Sequence, residues 1–460
     1  MTKRFINDPL DLTPPRTSPM EKGGANISSE QTSAYSRGTL STILARPGPF
    51  TSETGALPMG EFVPGAESHD KLANAKVLVV GAGGLGCEIL KDLAMSGVKN
   101  IFCIDLDTID VTNLNRQFLF RAKDVGRPKC EVACEFVKAR SPLIEIEHYL
   151  GKIQDKDSSF YSKFDVIVSG LDNIEARRWL NAMVVGLVQM DGDGYPDPST
   201  IIPIVDGGTE GFKGQSRVII PKITSCFECS LSAFPPQKSF PMCTIAETPR
   251  LPEHCISYAF TLMWPKEFPE KKLDKDSPDD MKWVFDKALE RANKFNIKGV
   301  TYMLTMGVVK NIIPAVASTN AIISAACVNE VVKLITYSSQ HLNTYMMYMG
   351  STGIYTHSFV YEVKEDCPVC QAKDRTIRVN HNITLKAVLQ SLCDGDLRLK
   401  NPSATTSEQT LYMASGPLKE ATMGNLEKPV GELFGSGELL TVTDDVFPGE
   451  TSLGLVVNFE

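Results

Sequence analysis

The sequence predicts an α/β protein built on a parallel sheet, interrupted by a helical insert and completed by a small α+β domain. Three observations carry that expectation. A continuous apolar run, Lys76-Val77-Leu78-Val79-Val80, has the character of a strand buried on both faces. It leads straight into Gly81-Ala82-Gly83-Gly84-Leu85-Gly86, the helix-patterned Cys87–Ser96 and a second apolar run, Asn100–Ile104. That strand–turn–helix–strand unit closes with a right-handed crossover and so belongs to a parallel sheet. Finally, the texture changes after residue 235, where prolines cluster and helical spacing takes over.

Taken in order, residues 1–45 are rich in Ser, Thr, Pro and Gly without helical or strand period, and are expected to be a disordered tail. Residues 46–235 hold the first part of the α/β domain, with a further strand expected at Asp165–Ser169. Residues 236–302 are the insert. Its charged stretch Lys266–Asp280 ends in Ser277-Pro278-Asp279-Asp280, a helix start with a Ser cap, Pro at the first position and an acid three residues past the cap. Met281, Val284, Phe285, Ala288, Leu289, Ala292 and Phe295 then recur at helical spacing. Ile312–Ile335 reads as a return to the α/β unit, whose second part is 303–374. From 375 to 460 the pattern is a strand (Thr376–Val379), a helix capped by Thr384, and strands at Thr410–Met413, Leu439–Thr443 and Leu453–Phe459.

Composition excludes several classes. The chain has 460 residues, 42% hydrophobic and 22% charged, with 47 basic and 55 acidic residues giving a net charge of −8. That length builds large cores without disulfides, and the negative balance argues against a nucleic-acid partner. The longest apolar stretch, Ile312–Val328, is broken by Pro314, Ser318, Thr319 and Asn320, so no membrane span is expected, and the N-terminus is read as lacking a signal peptide.

Gly81, Gly83 and Gly86 fit G-x-G-x-x-G, with an acid, Asp105, about twenty residues on, where it would accept from ribose hydroxyls. Small residues let backbone approach a phosphate, and the helix N-terminus offers oriented N–H groups. The motif alone does not separate a dinucleotide from a mononucleotide. No Gly-Lys-Ser/Thr follows, so this is not a Walker-type loop. Instead Asp107, the run Asn113-Leu114-Asn115-Arg116-Gln117-Phe118 and Gly126-Arg127-Pro128-Lys129 supply charges that suit a triphosphate. Asp172 follows the next strand, where an acid can hold Mg²⁺ against phosphate oxygens. Together these charges at successive strand ends favour a nucleoside triphosphate over a nicotinamide.

Twelve cysteines are the unusual feature of the composition. Cys226/Cys229 and Cys367/Cys370 form two C-x-x-C pairs in loop-like contexts. They suit one tetrahedral zinc site, although the long gap leaves a redox pair open on spacing alone.

The run from Val77 through Lys129, with Asp172, resembles the adenylation domain of the ubiquitin-like-modifier activating enzymes. That resemblance implies ATP with Mg, Asp105 on the ribose, Asp107, Arg116 and Lys129 at the phosphates, Asp172 near the metal, and Asn113 and Gln117 as further ATP contacts. It also implies a Rossmann-like adenylation domain interrupted by a helical catalytic-cysteine insert, with a C-terminal ubiquitin-like β-grasp domain that recruits the conjugating enzyme. The family's paired cysteines add to the case for structural zinc at Cys226, Cys229, Cys367 and Cys370. A lone cysteine is more often inert than nucleophilic, but Phe240–Cys255 resembles the family's catalytic segment, and Cys243 matches the nucleophile that takes the acyl group as a thioester. His254 in that segment is read as structural, and Cys87, Cys103, Cys130, Cys134, Cys255, Cys327 and Cys393 as core or incidental.

Within the family the chain is most similar to the catalytic subunits of the heterodimeric enzymes for the Nedd-type (Rub-type) modifier. The stretches Asp206–Gly214, Met263–Glu267 and Ile313–Ala321 carry that likeness. Arg217 matches a position that repels a basic residue in the wrong modifier's tail. The implied partners are a regulatory adenylation-like subunit, the Nedd-type modifier and its conjugating enzyme, in cytoplasm and nucleus. One-chain family members that carry both adenylation-like halves are far longer, which is why a separate subunit is expected. A catalytic subunit for a sumo-type modifier and a non-catalytic scaffold are the competing readings.

Overall fold

Strand β1 (Lys76–Val80) forms where the apolar run predicts it, preceded by helix α1 (Ala66–Asn74). The structure is a computed structural model in which residues 62–234, 245, 247–271, 273–274, 277–309, 316–338, 342–371, 374–449 and 451–460 are described. The expected tail at 1–45 and Cys243 lie outside the described residues. After β1 come α2 (Gly84–Met95), β2 (Asn100–Asp105), α3 (Lys129–Arg140), β3 (Glu145–Leu150), β4 (Val166–Ser169) and α4 (Ile174–Gly186). The antiparallel partners β5 (Ile204–Glu210) and β6 (Lys213–Ile219) follow, and after the insert β7 (Thr344–Met349) and β8 (Tyr355–Val360).

These eight strands form one sheet in the order β3-β2-β1-β4-β5-β6-β7-β8. The first five are mutually parallel, and β6, β7 and β8 run antiparallel to their neighbours. Val80 pairs with Ile104 on one side and Ser169 on the other, so the carboxyl ends of β1, β2 and β4 finish together. The chain winds from β1 to β2 on one side and later crosses back to β4 on the other. That makes the β1/β4 boundary the switch point where open α/β sheets bind ligands.

The uninterrupted apolar character of β1 has a direct cause. Val77 and Val79 enter a core with Leu85, Ile89 and Leu93 of α2, while Leu78 and Val80 enter a second core with Trp179 and Leu180 of α4. Alternate side chains of one strand thus serve opposite faces. The insert has its own core, with Cys255 and Ile256 on α5 (Pro252–Tyr258) and Met281, Val284, Ala288 and Ala292 on α6 (Pro278–Lys294). Ser277 caps α6 as its sequence predicts, accepting from the Asp280 N–H at 3.3 Å. Helix α7 (Tyr302–Val309) buries Val309 in the insert's core, so the insert runs past the boundary expected at 302, and α8 (Ala317–Thr336) returns to lie against α2, β5 and β6.

The C-terminal unit is a five-stranded sheet. Strand β9 (Arg375–Val379) precedes α9 (Leu385–Asp394), which is capped by Thr384, and β10 (Ser403–Thr405), β11 (Thr410–Tyr412), β12 (Glu438–Thr443) and β13 (Leu453–Phe459) complete it. Its order is β11-β10-β12-β13-β9, with the two terminal strands β9 and β13 paired in parallel. Among the described residues no helix is long and apolar enough to cross a membrane.

The tightest constraint is at the glycine turn. Gly81 has φ +96°, a left-handed conformation that L side chains rarely adopt, and its N–H donates to the Ile104 carbonyl at 2.9 Å. A Cβ at Gly86 would lie 1.9 Å from the Gly81 carbonyl oxygen. Gly86→Ala is therefore expected to destabilise the α/β domain by at least about 2 kcal/mol through overpacking against backbone that cannot yield, measured as a lowered midpoint in thermal unfolding.

Candidate nucleotide site and cysteine cluster

The helix N-terminus that follows β1 is built to receive an anion. Gly83 caps α2 without any side-chain acceptor for the first N–H groups, and a Cβ placed there meets nothing within 4 Å. Asp105, at the end of β2, reaches across the turn. Its Oδ2 accepts from the Ala82 N–H at 2.6 Å and its Oδ1 from the Asp107 N–H at 2.7 Å. Each oxygen keeps a lone pair for a hydroxyl donor. Burial holds the Asp105 carboxyl above the usual range, with these two N–H groups acting in the opposite direction.

Lys129 is far from Asp107 in sequence but not in space. The segments around 109 and 126 zip together, Ile109 N–H to Arg127 carbonyl at 2.9 Å and Gly126 N–H to Ile109 carbonyl at 2.8 Å. This puts the first residue of α3 beside the end of β2. The buried Lys129 Nζ lies 2.7 Å from Asp107 Oδ2, and its own N–H donates to the Asp107 carbonyl at 2.9 Å. Arg116 stands beside Gly84 and donates through Nη1 to the Thr112 carbonyl and to Asn115 Oδ1, both at 3.0 Å. Among the described residues these acceptors are neutral, so the cation keeps its charge for an anionic ligand.

Asp172 is exposed just past β4, next to Asn173, which caps α4. Gly81, Gly83, Gly86, Asp105, Asp107, Arg116, Lys129 and Asp172 therefore come from strand ends and turns that share one edge of the sheet. Two other expected contacts are placed differently. Asn113 Oδ1 turns back to accept from the Asp110 N–H at 3.0 Å, closing a small capping box. Gln117 is 3% exposed, and its buried Oε1 has no hydrogen-bond partner.

Behind this edge lies a buried polar network that the sequence did not reveal. Asp206 of β5 is 2% exposed, with Arg177 Nε at 3.3 Å, Gln215 Nε2 at 2.8 Å and Arg217 Nε at 3.8 Å from its carboxylate. Arg177 also donates to the carbonyls of Leu171 and Gly207, both at 2.7 Å, tying the Asp172 loop to β5. Asn320 of α8 accepts from Thr209 Oγ1 at 2.6 Å and presses against Gly84. Asp206, Thr209 and Asn320 fall in two of the stretches that carry the family likeness, and only the contacts they make are hidden in the sequence.

Arg217 is 3% exposed on β6, between the rings of Phe227 at 4.8 Å and Tyr345 at 5.6 Å. It donates through Nη1 to Ser230 Oγ at 2.5 Å, while Nη2 has no hydrogen-bond partner. Burial pulls its guanidinium below the ordinary value, and the Asp206 charge opposes that.

The four paired cysteines converge. Cys226 Sγ lies 3.8 Å from Cys229 Sγ and 3.5 Å from Cys367 Sγ, and Cys229 Sγ is 3.5 Å from Cys370 Sγ. All four sulfurs fall within 4.8 Å of one another and are buried. Zinc–thiolate bonds of about 2.3 Å in a tetrahedron put sulfurs roughly 3.8 Å apart, so the donor set and spacing fit such an ion. Burial pushes the Cys226 thiol well up. The remaining described thiols behave as core. Burial raises Cys130 to about 11 and Cys327 to about 12, which keeps them protonated at neutral pH. His254 is buried and accepts from the Arg250 N–H through Nδ1 at 3.1 Å, a structural bond.

The ThiF family model matches residues 58–369, more than half of the chain. The chain belongs to the ThiF family. Its adenylation chemistry uses ATP with magnesium, in keeping with the edge just described. An E2 binding domain model matches residues 378–457, the five-stranded C-terminal unit. Over 432 residues the chain is 50% identical to the NEDD8-activating enzyme E1 catalytic subunit of Dictyostelium discoideum, covering 91% of this chain and 96% of that one. It is 46% identical over 428 residues to the Drosophila melanogaster Nedd8-activating enzyme E1 catalytic subunit, with 90% and 94% covered. It is also 49% identical over 377 residues to the Arabidopsis thaliana NEDD8-activating enzyme E1 catalytic subunit, with 81% and 83% covered.

Removing the shared acid of the buried network should be costly. Asp206→Asn leaves two guanidinium groups without their counter-charge, and a loss of about 3 kcal/mol is expected, read from urea unfolding of the purified chain.

Proposed function

We propose that this chain is the catalytic subunit of an E1 enzyme that activates NEDD8. The observation that carries the reading is that one chain joins the Gly81–Lys129 nucleotide edge to an E2 binding domain, along nearly the full length of its NEDD8-activating relatives. The C-terminal glycine carboxylate of the modifier attacks the α-phosphorus of ATP, and pyrophosphate leaves. The Cys243 thiolate then attacks the acyl carbon, forming a thioester as the bond to AMP breaks. Finally the conjugating enzyme's thiolate displaces Cys243.

In this reading Asp105 holds the ribose, and Lys129, Arg116 and Asp107 organise the phosphates. An anion attacking a polyanion is slow until cations screen it, and Lys129 and Arg116 meet that need from the turn edge. A magnesium ion, when bound, adds further screening, with Asp172 as the carboxylate to hold it. Arg217, buried with an unpartnered Nη2 beside Phe227, is the residue we assign to modifier selection. The active form is a heterodimer with a regulatory adenylation-like subunit, and zinc occupies the four-thiol site in a structural role.

Two measurements test this. With the partner subunit, ATP and NEDD8, a thiol-sensitive adduct should appear on a non-reducing gel, vanish in Cys243→Ala and remain absent with ubiquitin or a sumo-type modifier. Cys243→Ala should retain modifier-dependent ATP–pyrophosphate exchange, whereas Lys129→Ala should lower that exchange about a hundredfold. A scaffold would show no exchange in any variant. Separately, elemental analysis should find stoichiometric zinc in the wild type and none in Cys226→Ser/Cys367→Ser, whose unfolding midpoint should fall by at least about 5 °C.

A further inference from the structure

Behind the nucleotide edge two guanidinium groups share one carboxylate, and the shares are unequal. Ser169 of β4, Asp206 of β5, Arg217 of β6 and Tyr345 of β7 pair in register and form one row across the sheet. Alternate residues of a strand share a face, which sets Gln215 beside Arg217 on β6. Gln215 is 8% exposed and pairs with Gly208. A Cβ at Gly208 would lie 2.8 Å from Arg177 Nη2 and 3.2 Å from Gln215 Nε2. The bare backbone there is what lets both side chains close on Asp206.

Gln215 Nε2 donates to Asp206 Oδ2 at 2.8 Å, and Arg177 Nε lies 3.3 Å from Oδ1. Arg217 Nε stands 3.8 Å from Oδ2, beyond hydrogen-bond reach. Among the described residues neither its Nε nor its Nη2 has a hydrogen-bond partner. Tyr345 adds no compensating charge, because burial raises its hydroxyl to about 12 and keeps it protonated at neutral pH. Two cations thus face one anion. Arg178, the next residue of α4, shows the opposite case. Its Nε and Nη2 donate to the two oxygens of Glu228 at 2.6 and 3.1 Å, and its Nη1 and Nη2 to the carbonyls of Arg398 and Leu397, both at 2.8 Å. That guanidinium has a carboxylate to itself and a partner for every nitrogen.

We propose that Gln215 is a positioning residue for modifier selection: by holding Asp206 Oδ2 it keeps Arg217 short of its counter-ion, and the uncompensated charge turns away a modifier tail that carries a basic side chain. This rests on the reading that Arg217 selects the modifier. The amide is neutral and occupies the carboxylate oxygen nearest Arg217, so it blocks that bond without supplying charge. Away from water, a guanidinium left in this state repels a second cation far more strongly than a solvated one does. A carboxylate at position 215 would even the count, and an apolar side chain would free Oδ2 for Arg217.

The test uses the full-length chain with its partner subunit, as wild type, Gln215→Glu, Gln215→Leu and Arg217→Gln. Modifier-dependent ATP–pyrophosphate exchange is measured with NEDD8, with ubiquitin, and with ubiquitin whose basic tail residue is replaced by alanine. The preference for NEDD8 over ubiquitin, as a ratio of kcat/KM, should fall at least about tenfold in all three variants through a lower KM for ubiquitin. In both Gln215 variants NEDD8 and the alanine-bearing ubiquitin should stay within about twofold of wild type, a pattern that a loosened fold does not produce. Relaxed selection in Arg217→Gln with an unchanged ratio in the Gln215 variants overturns the proposal alone. A parallel loss with all three modifiers also overturns it, since that marks a structural role. An unchanged ratio in Arg217→Gln overturns the reading of Arg217 and the proposal with it. If the wild type shows no modifier-dependent exchange, the functional reading fails. A crystal structure of Gln215→Leu then still decides the contact: Arg217 Nε should close to hydrogen-bond distance of Asp206, and an unmoved side chain overturns the proposal.

Discussion

How closely a helix can approach the strand that feeds it governs the nucleotide end of this molecule. With Gly86 packed on the carbonyl of Gly81, the first turn of α2 sits directly over the end of β1. Any wider separation would carry the helix N–H groups away from Asp105, which already bonds the turn through Ala82. The same closeness brings α8 down onto α2, where Asn320 meets Gly84. The glycines thus set the spacing of an entire layer as well as the shape of a loop.

Around that edge, three arginines divide their work by the partner each one finds. Arg177 stitches the loop after β4 to β5, Arg217 waits between two rings with one nitrogen unpartnered, and Arg178 joins two domains. Two carboxylates, Asp206 and Glu228, serve all three. In a chain with an acidic surplus overall, the cations that matter are inside, where low polarity makes each interaction strong and each mismatch costly.

What could be read in the sequence followed from local physics. β1 and β13 were expected at their observed bounds because apolar runs and alternation are local signals, and the Ser277 and Thr384 caps were expected because caps are side-chain chemistry at known offsets. Strands β5 and β6 are hidden in the sequence because Gly207, Gly208 and Gly214 blur the strand pattern, and β8 because nearly all of its residues are exposed and none of the alternation of a half-buried strand remains. Candidate nucleotide residues were found from their order after strands, whereas the burial of Arg217 and the Asp206 network depend on register between strands. The Arg178 contacts span 50 residues to Glu228 and 219 to Leu397, beyond the reach of any periodicity. The thiol cluster was legible because its spacing repeats.

The converging thiols also bear on how this architecture can vary. Cys226 and Cys367 meet across 141 residues, so the loop they close holds the insert together with α8, β7 and β8. The entropy of closing such a loop grows only with the logarithm of its length, and doubling it adds about 0.6 kcal/mol. A segment held in this way can be lengthened, trimmed or exchanged over evolutionary time while the sheet that binds the nucleotide stays the same. The cluster closes the chain behind the sheet, which leaves the insert as the part most free to be replaced.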